Sequence, residues 1–217
     1  VNLVALRPQR TGTEELFAVL PAPQSVRTSA LLSTAFGPVV VAAALAVGCV
    51  LLLSSDEMRG SPRRAEIGAG LLIVAGSVGV GVAVARWLAN PGFGLLAVIA
   101  TMVIQARFLD VTTWPWDRSE GDQLRFLAFL AEPTSITDDF LELRPSGWHL
   151  LYLGGLIAVI SGVALAREGL RRPVVVVIGA GVVVAGGAGW IQTRPPSVAE
   201  QDAMVSYLIE PGAHQIC

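Results

Sequence analysis

The chain has 217 residues, of which 53% are hydrophobic and only 15% charged, and its formal net charge is −2. All 15 basic residues are arginine, and the mean hydropathy is +0.63. A soluble domain usually carries about 25% charged residues, so this composition excludes an ordinary water-facing globule. The absence of lysine also excludes a phosphate-binding P-loop, which needs one, and no nucleic-acid partner is expected.

Residues 1–36 lack the basic start, apolar core and small-residue cleavage site of a signal peptide. Thr11-Gly12-Thr13-Glu14 has the spacing of a capping box, and Glu14 and Glu15 favour a helix N-terminus. Leu16, Phe17, Val19 and Leu20 follow at helical spacing, and Pro21 and Pro23 end that helix. This short amphipathic helix reads either as an interfacial anchor or as a docking element for a partner. A second helix is expected to start near Ser25 and run into the first span, with a kink at Gly37-Pro38.

Charge spacing then organises the chain. No charged residue lies between Arg27 and Asp56, Glu66 and Arg86, Arg86 and Arg107, Arg144 and Arg167, or Arg172 and Arg194. By subtraction these gaps are 28, 19, 20, 22 and 21 residues. A helix needs about 20 apolar residues to cross the hydrocarbon core, and a charge at its centre costs about 2.5–3.5 kcal/mol on insertion scales. The sequence therefore predicts spans at 38–54, 67–86, 93–108, 148–166 and 173–191. Val39-Val40-Val41-Ala42-Ala43-Ala44-Leu45 does not alternate as a barrel strand would, so the spans are helices. The expected fold is all-α: a polytopic transmembrane bundle of about five spans with short interfacial helices.

Between the spans, residues 55–66 form a charged loop and Asn90-Pro91-Gly92 a tight turn. Residues 109–146 make a longer polar connection, with Trp114-Pro115-Trp116 as an aromatic interface anchor. Ser119 precedes Glu120 and Asp122 as a helix start; Leu124, Leu127 and Ala131 share one face of that helix, and Glu132-Pro133 stops it. A second short helix is expected over residues 137–143. Residues 192–217 form a polar tail with Pro195-Pro196 as a linker signal and a helix over about 197–208. The first residue, Val1, and the final Gln215-Ile216-Cys217 read as the ends of a fragment of a longer chain.

Glycines Gly68, Gly70, Gly76, Gly79 and Gly81 crowd the second span, and Gly179, Gly181, Gly186, Gly187 and Gly189 the fifth. Each costs a helix about 1 kcal/mol in water. In a membrane small residues let helices approach closely, so Ser77 with Gly81, and Ala75 with Gly79, read as packing faces.

Candidate chemical motifs are weak. Val177-Ile178-Gly179-Ala180-Gly181 has the opening of a dinucleotide fingerprint, but Val184 occupies the third small position and no βαβ unit surrounds it. Neither the His149–His214 nor the Cys49–Cys217 spacing suits a metal site. His149 is expected at the membrane interface, and Cys49 as inert packing within a span. Cys217 reads as a thiol whose disulfide partner lies further along a longer chain. Asp138, Asp139 and Glu142 read as a solvated loop rather than a metal cluster. Away from their edges, where His149 and Arg107 sit, the spans carry no ionisable residue, which argues against an intramembrane enzyme. No catalytic residue, cofactor or metal is expected.

Arg10-Thr11-Gly12-Thr13-Glu14-Glu15-Leu16-Phe17-Ala18-Val19-Leu20-Pro21 resembles the cytoplasmic helix of ABC-2-type transporter permeases. Trp114-Pro115-Trp116 and Trp148-His149-Leu150-Leu151-Tyr152 look like the stretch before and into the closing span of actinobacterial permeases of this type. The all-arginine, Ala/Val/Gly-rich composition fits a high-GC organism. The resemblance covers roughly residues 7–172. It implies a multi-pass permease in a bacterial plasma membrane, an ATP-binding cassette subunit that hydrolyses ATP as a separate chain, membrane lipid around the spans, and a dimeric assembly of permease subunits. It places residues 1–36 in the cytoplasm as an amphipathic coupling segment, 37–191 as the transmembrane bundle with an extracytoplasmic loop at 109–146, and 192–217 outside. Glu14, Glu15, Leu16, Phe17 and Leu20 become the partner-docking residues, with Phe17 as anchor and the two glutamates as rim contacts. Such permeases usually have two further spans before this helix, absent here, and the fifth span is an addition to their core. The alternative reading is a non-transporting multi-span anchor or sensor for an extracytoplasmic domain.

Overall fold

The computed structural model describes residues 24–55, 64–88, 90, 92–108, 127–128 and 145–194. The docking segment at residues 13–20, the Trp114-Pro115-Trp116 anchor, the helices expected at 119–131 (save Leu127 and Ala128) and 137–143, and the tail from 195 lie outside these residues. The described residues form six helices: α1 (Gln24–Ser33), α2 (Phe36–Ser55), α3 (Arg64–Trp87), α4 (Gly92–Phe108), α5 (Ser146–Ala166) and α6 (Arg172–Gln192). The fold is all-α, and its long helices coincide with the charge-free gaps. Four stretches are long and apolar enough to cross a membrane, namely Ser25–Leu51, Arg64–Trp87, Ser146–Ala166 and Arg172–Gln192. The chain is a membrane protein with multiple spans.

Helix α1 runs almost directly into α2, but the break falls at Thr34 and Ala35 rather than at Gly37-Pro38. Proline affects the helix one turn before itself: it lacks an N–H, and its ring opposes the carbonyl four residues back. For Pro38 that residue is Thr34. The N–H groups of Thr34 and Ala35 accordingly turn to the carbonyls of Leu31 and Leu32, three residues back, at 3.2 and 3.0 Å. The four-residue ladder resumes with Val39 N–H on the Ala35 carbonyl at 3.1 Å.

The core is built around α5, with α6 on one side and α3 on the other. Helices α5 and α6 are antiparallel and join through a tight turn. Gly169 in that turn has φ +117°, a conformation that side chains other than glycine rarely tolerate. Arg171 is extended, and Pro173 lies in the first turn of α6, where a missing N–H costs little. Helices α3 and α5 run parallel. Gly68 faces Leu150, Gly76 faces Ile157 and Gly79 faces Ile160, so both residue numbers climb together. The chain must therefore cross back between Trp87 and Ser146, and α4 is the described apolar helix in that interval. Its start is fixed by the Asn90 side chain, which accepts a hydrogen bond from Gly92 N–H at 2.8 Å. Helices α2 and α4 pack mainly on α3 and leave broad aliphatic faces outward.

Only some of the crowded glycines are contacts. A Cβ on Gly155 would sit 2.6 Å from the Ala185 nitrogen and 2.8 Å from the Gly181 carbonyl oxygen, and one on Gly181 would sit 2.8 Å from the Gly155 oxygen. By contrast Gly70, Gly179, Gly186 and Gly187 have nothing within 4 Å. Ser77 is also exposed, and its hydroxyl bonds back to the Val74 carbonyl; the contact face of α3 is the one bearing Gly76 and Gly79. Cys49 is exposed on α2 rather than packed.

Aromatic residues mark the two ends of the bundle. Trp87 lies at one end, and Trp148 and Trp190 lie at the other, all partly exposed. Tryptophan favours the membrane–water boundary. Arg194 lies 5.6 Å over the Trp190 ring, within the range of a cation–π contact.

The hairpin geometry sets an expectation for stability. Gly155→Ala forces backbone apart and is expected to destabilise the detergent-solubilised protein by about 1–3 kcal/mol. Gly186→Ala, which meets nothing, is expected to be neutral or stabilising by up to about 1 kcal/mol. Thermal unfolding of the two variants side by side measures the difference.

Candidate functional site

Polar groups are gathered at the two ends of the bundle. At the end carrying the α5–α6 turn, α1 and α3 meet at one carboxylate oxygen of that turn. Arg86, in the last turn of α3, approaches Glu168 Oε1 with Nη2 at 2.8 Å. Thr28, fully buried on α1, donates its hydroxyl to the same oxygen. The side chains of Arg86 and Glu168 are 18% and 9% exposed. Next to them Trp87 donates its indole N–H to the Val163 carbonyl at 2.8 Å, in the last turn of α5, where carbonyls run out of in-helix partners.

An apolar cluster lies beneath. Val78, Val82 and Ala164 are buried together, with Leu31, Leu32, Ala35 and Ala83 packed against them. Helix α1 is thus held by a polar contact at Thr28 and an apolar one a turn later. A carboxylate withdrawn this far from water needs its partner: breaking such a pair costs about 3–5 kcal/mol, whereas replacing both partners by apolar groups is often neutral. The chemistry of this site is mechanical. It ties the segment entering the membrane to α3 and to the α5–α6 turn.

At the opposite end His149 Nδ1 lies 3.3 Å from Gln192 Oε1, with both side chains buried. The Tyr152 ring centroid is 6.0 Å from that of His149. His149 is at the start of its span as expected, but it turns into the bundle while Trp148 faces out. Leu127 reaches this end too: a Cβ on Gly189 would lie 3.4 Å from its side chain. The pair joins the first turn of α5 to the last of α6, so the hairpin carries a hydrogen-bonded tie at its open end.

The expected docking residues Glu14, Glu15, Leu16, Phe17 and Leu20 lie outside the described residues. Among the described residues no group of three His, Cys, Asp or Glu comes together as a metal site. Val177–Gly181 lies within α6, and Gly181 is spent on the contact with Gly155. Thr28, Glu168 and Gln192 were not singled out by sequence reasoning. A signal for Glu168 existed: Arg86 is the lone charge between Glu66 and Arg107, and an arginine closing an apolar span needs a counter-charge. Threonine and glutamine carry no comparable mark.

No protein-family model, curated protein or solved structure matches this chain.

A double-mutant cycle tests the tie. Arg86→Leu alone is expected to destabilise by about 3–5 kcal/mol, and Arg86→Leu with Glu168→Leu by much less. Thermal unfolding in detergent reads both, and additive losses would show that the two groups do not act as a pair.

Proposed function

We propose that this chain is the membrane-spanning permease subunit of an ABC-type transporter in a bacterial plasma membrane, driven by ATP that a separate ATP-binding cassette subunit hydrolyses. The observation that carries this reading is the attachment of α1. A permease without a nucleotide site of its own must receive the partner's motion through a segment outside the spans and pass it to them. Residues 13–20, the docking helix in this reading, are separated from α1 by only residues 21–23. Helix α1 is in turn fastened through Thr28 to Glu168 and Arg86. A displacement of α1 therefore acts on α3 and on the α5–α6 turn together. In this reading Phe17 anchors the partner and Glu14 and Glu15 contact its basic rim, as an amphipathic helix does in a groove. A second permease chain completes the translocation path.

The competing reading is a multi-span anchor or sensor for an extracytoplasmic domain. Its support is the distribution of polar groups: among the described residues the buried ones lie at the ends, at Thr28 and at His149 with Gln192, and the α5–α6 contact between them closes backbone to backbone.

Two experiments separate these. With the full-length protein and its ATPase reconstituted together, Phe17→Ala is expected to abolish complex formation, and Thr28→Val to preserve the complex while reducing transport-coupled ATP hydrolysis. Unchanged hydrolysis in both variants favours the anchor. Orientation follows from the same proposal, with residues 1–36 and 167–172 inside. Cysteines placed singly at Arg167 and Arg194, in a background lacking Cys49 and Cys217, are expected to label from outside at position 194 only; labelling at 167 alone inverts the topology.

A further inference from the structure

A cleft of about 290 Å³ opens at the turn end of the bundle, between α1, the end of α5 and the start of α6. Its floor is aliphatic, formed by Leu165, Pro173, Val174 and Val177, while Ser25 and Arg171 stand at its edge. Glu168 also borders it, but its charge is balanced by Arg86. The guanidinium groups of Arg167, Arg171 and Arg172 are exposed around the turn, and among the described residues no carboxylate pairs with them. The surroundings of the cleft are thus apolar below and positively charged above.

The cleft's level matters as much as its lining. It lies where α5 ends and α6 begins, beside the end of α3 marked by Trp87. This is the depth at which acyl chains give way to headgroups. Its volume is near the lower bound of roughly 300–1,000 Å³ for small-molecule pockets, which suits a stretch of one acyl chain rather than a whole lipid. From this charge complementarity we infer that the cleft is a site for an anionic phospholipid, with an acyl segment on Val174 and Val177 and the phosphate at Arg171. A zwitterionic lipid would leave the positive charge of the turn uncompensated, and a free phosphate would leave the aliphatic floor uncovered. The inference requires only that the chain spans a membrane, and it is independent of the transporter reading.

The test uses the full chain in dodecyl maltoside, with no ATPase present. Unfolding temperature is followed while dioleoylphosphatidylglycerol, dioleoylphosphatidylcholine or inorganic phosphate is added. Phosphatidylglycerol is expected to raise the unfolding temperature saturably, and the other two to leave it nearly unchanged. Arg171→Gln is expected to weaken the apparent affinity about fivefold, as removal of one basic residue near an anionic surface does. Val174→Trp, which fills the floor, is expected to abolish the response, and Arg194→Gln at the opposite end to preserve it. Because Arg171 is exposed, its variant carries the test even if the tryptophan variant fails to fold. An equal response to phosphatidylcholine makes the cleft a general lipid contact, and an equal response to phosphate makes it a simple anion site. Either outcome, or an unaltered response in Arg171→Gln, overturns the inference.

Discussion

The approach of Gly155 to Gly181 governs the bundle. Lipid tails are as apolar as the helix surfaces, so helices in a membrane are not driven together by water and must gain from close packing and hydrogen bonds. Dispersion contacts fade over fractions of an ångström. Removing side chains at Gly155 and Gly181 lets two backbones meet, and Gly162, which faces Ile178, continues the seam. Once the hairpin is closed, the turn holding Glu168 has a fixed position, and α1 and α3 have something rigid to bind. The His149–Gln192 pair closes the other end of the same seam. Loosening the centre would disturb both.

The placement of polar groups follows from the same surroundings. An unsatisfied polar group in hydrocarbon costs several kcal/mol. The mid-bundle contacts are therefore aliphatic side chains and glycine backbone, and the ionisable groups gather where water or headgroups are near. Serines and threonines within the helices solve the problem locally. Ser77 and Thr101 return their hydroxyls to carbonyls three and four residues back.

Much of this architecture was legible in the sequence, because charge exclusion from hydrocarbon is a strong and local rule. The expected spans 38–54 and 148–166 differ from α2 and α5 by at most two residues at either end. Three-dimensional facts were less accessible. Glycines cluster in both α3 and α6, but only the geometry separates Gly181, in contact with a backbone, from Gly179 and Gly186, with nothing near. The break between α1 and α2 precedes Pro38 by one turn, where the proline ring opposes the Thr34 carbonyl. His149 could be placed at a depth, but nothing in its neighbours reveals that it turns inward to Gln192. Of the candidate docking residues, none falls among those described, and the tie at Glu168 emerged only when three distant stretches of chain were seen to converge.

The length of α4 has a consequence for the surrounding bilayer. Its 17 residues extend about 26 Å at 1.5 Å per residue, against a hydrocarbon thickness of about 30 Å. Helix α3, its neighbour, has 24 residues, of which the 19 between Glu66 and Arg86 carry no charge and extend about 29 Å, close to that thickness. One flank of the protein is thus shorter than the membrane while the adjoining flank matches it. Lipids along α4 must compress while those along α3 need not, at fractions of a kcal/mol per ångström of mismatch. The protein therefore imposes a gradient of thickness on the annulus around it, and membranes of different acyl length would shift the relative strain of its two flanks.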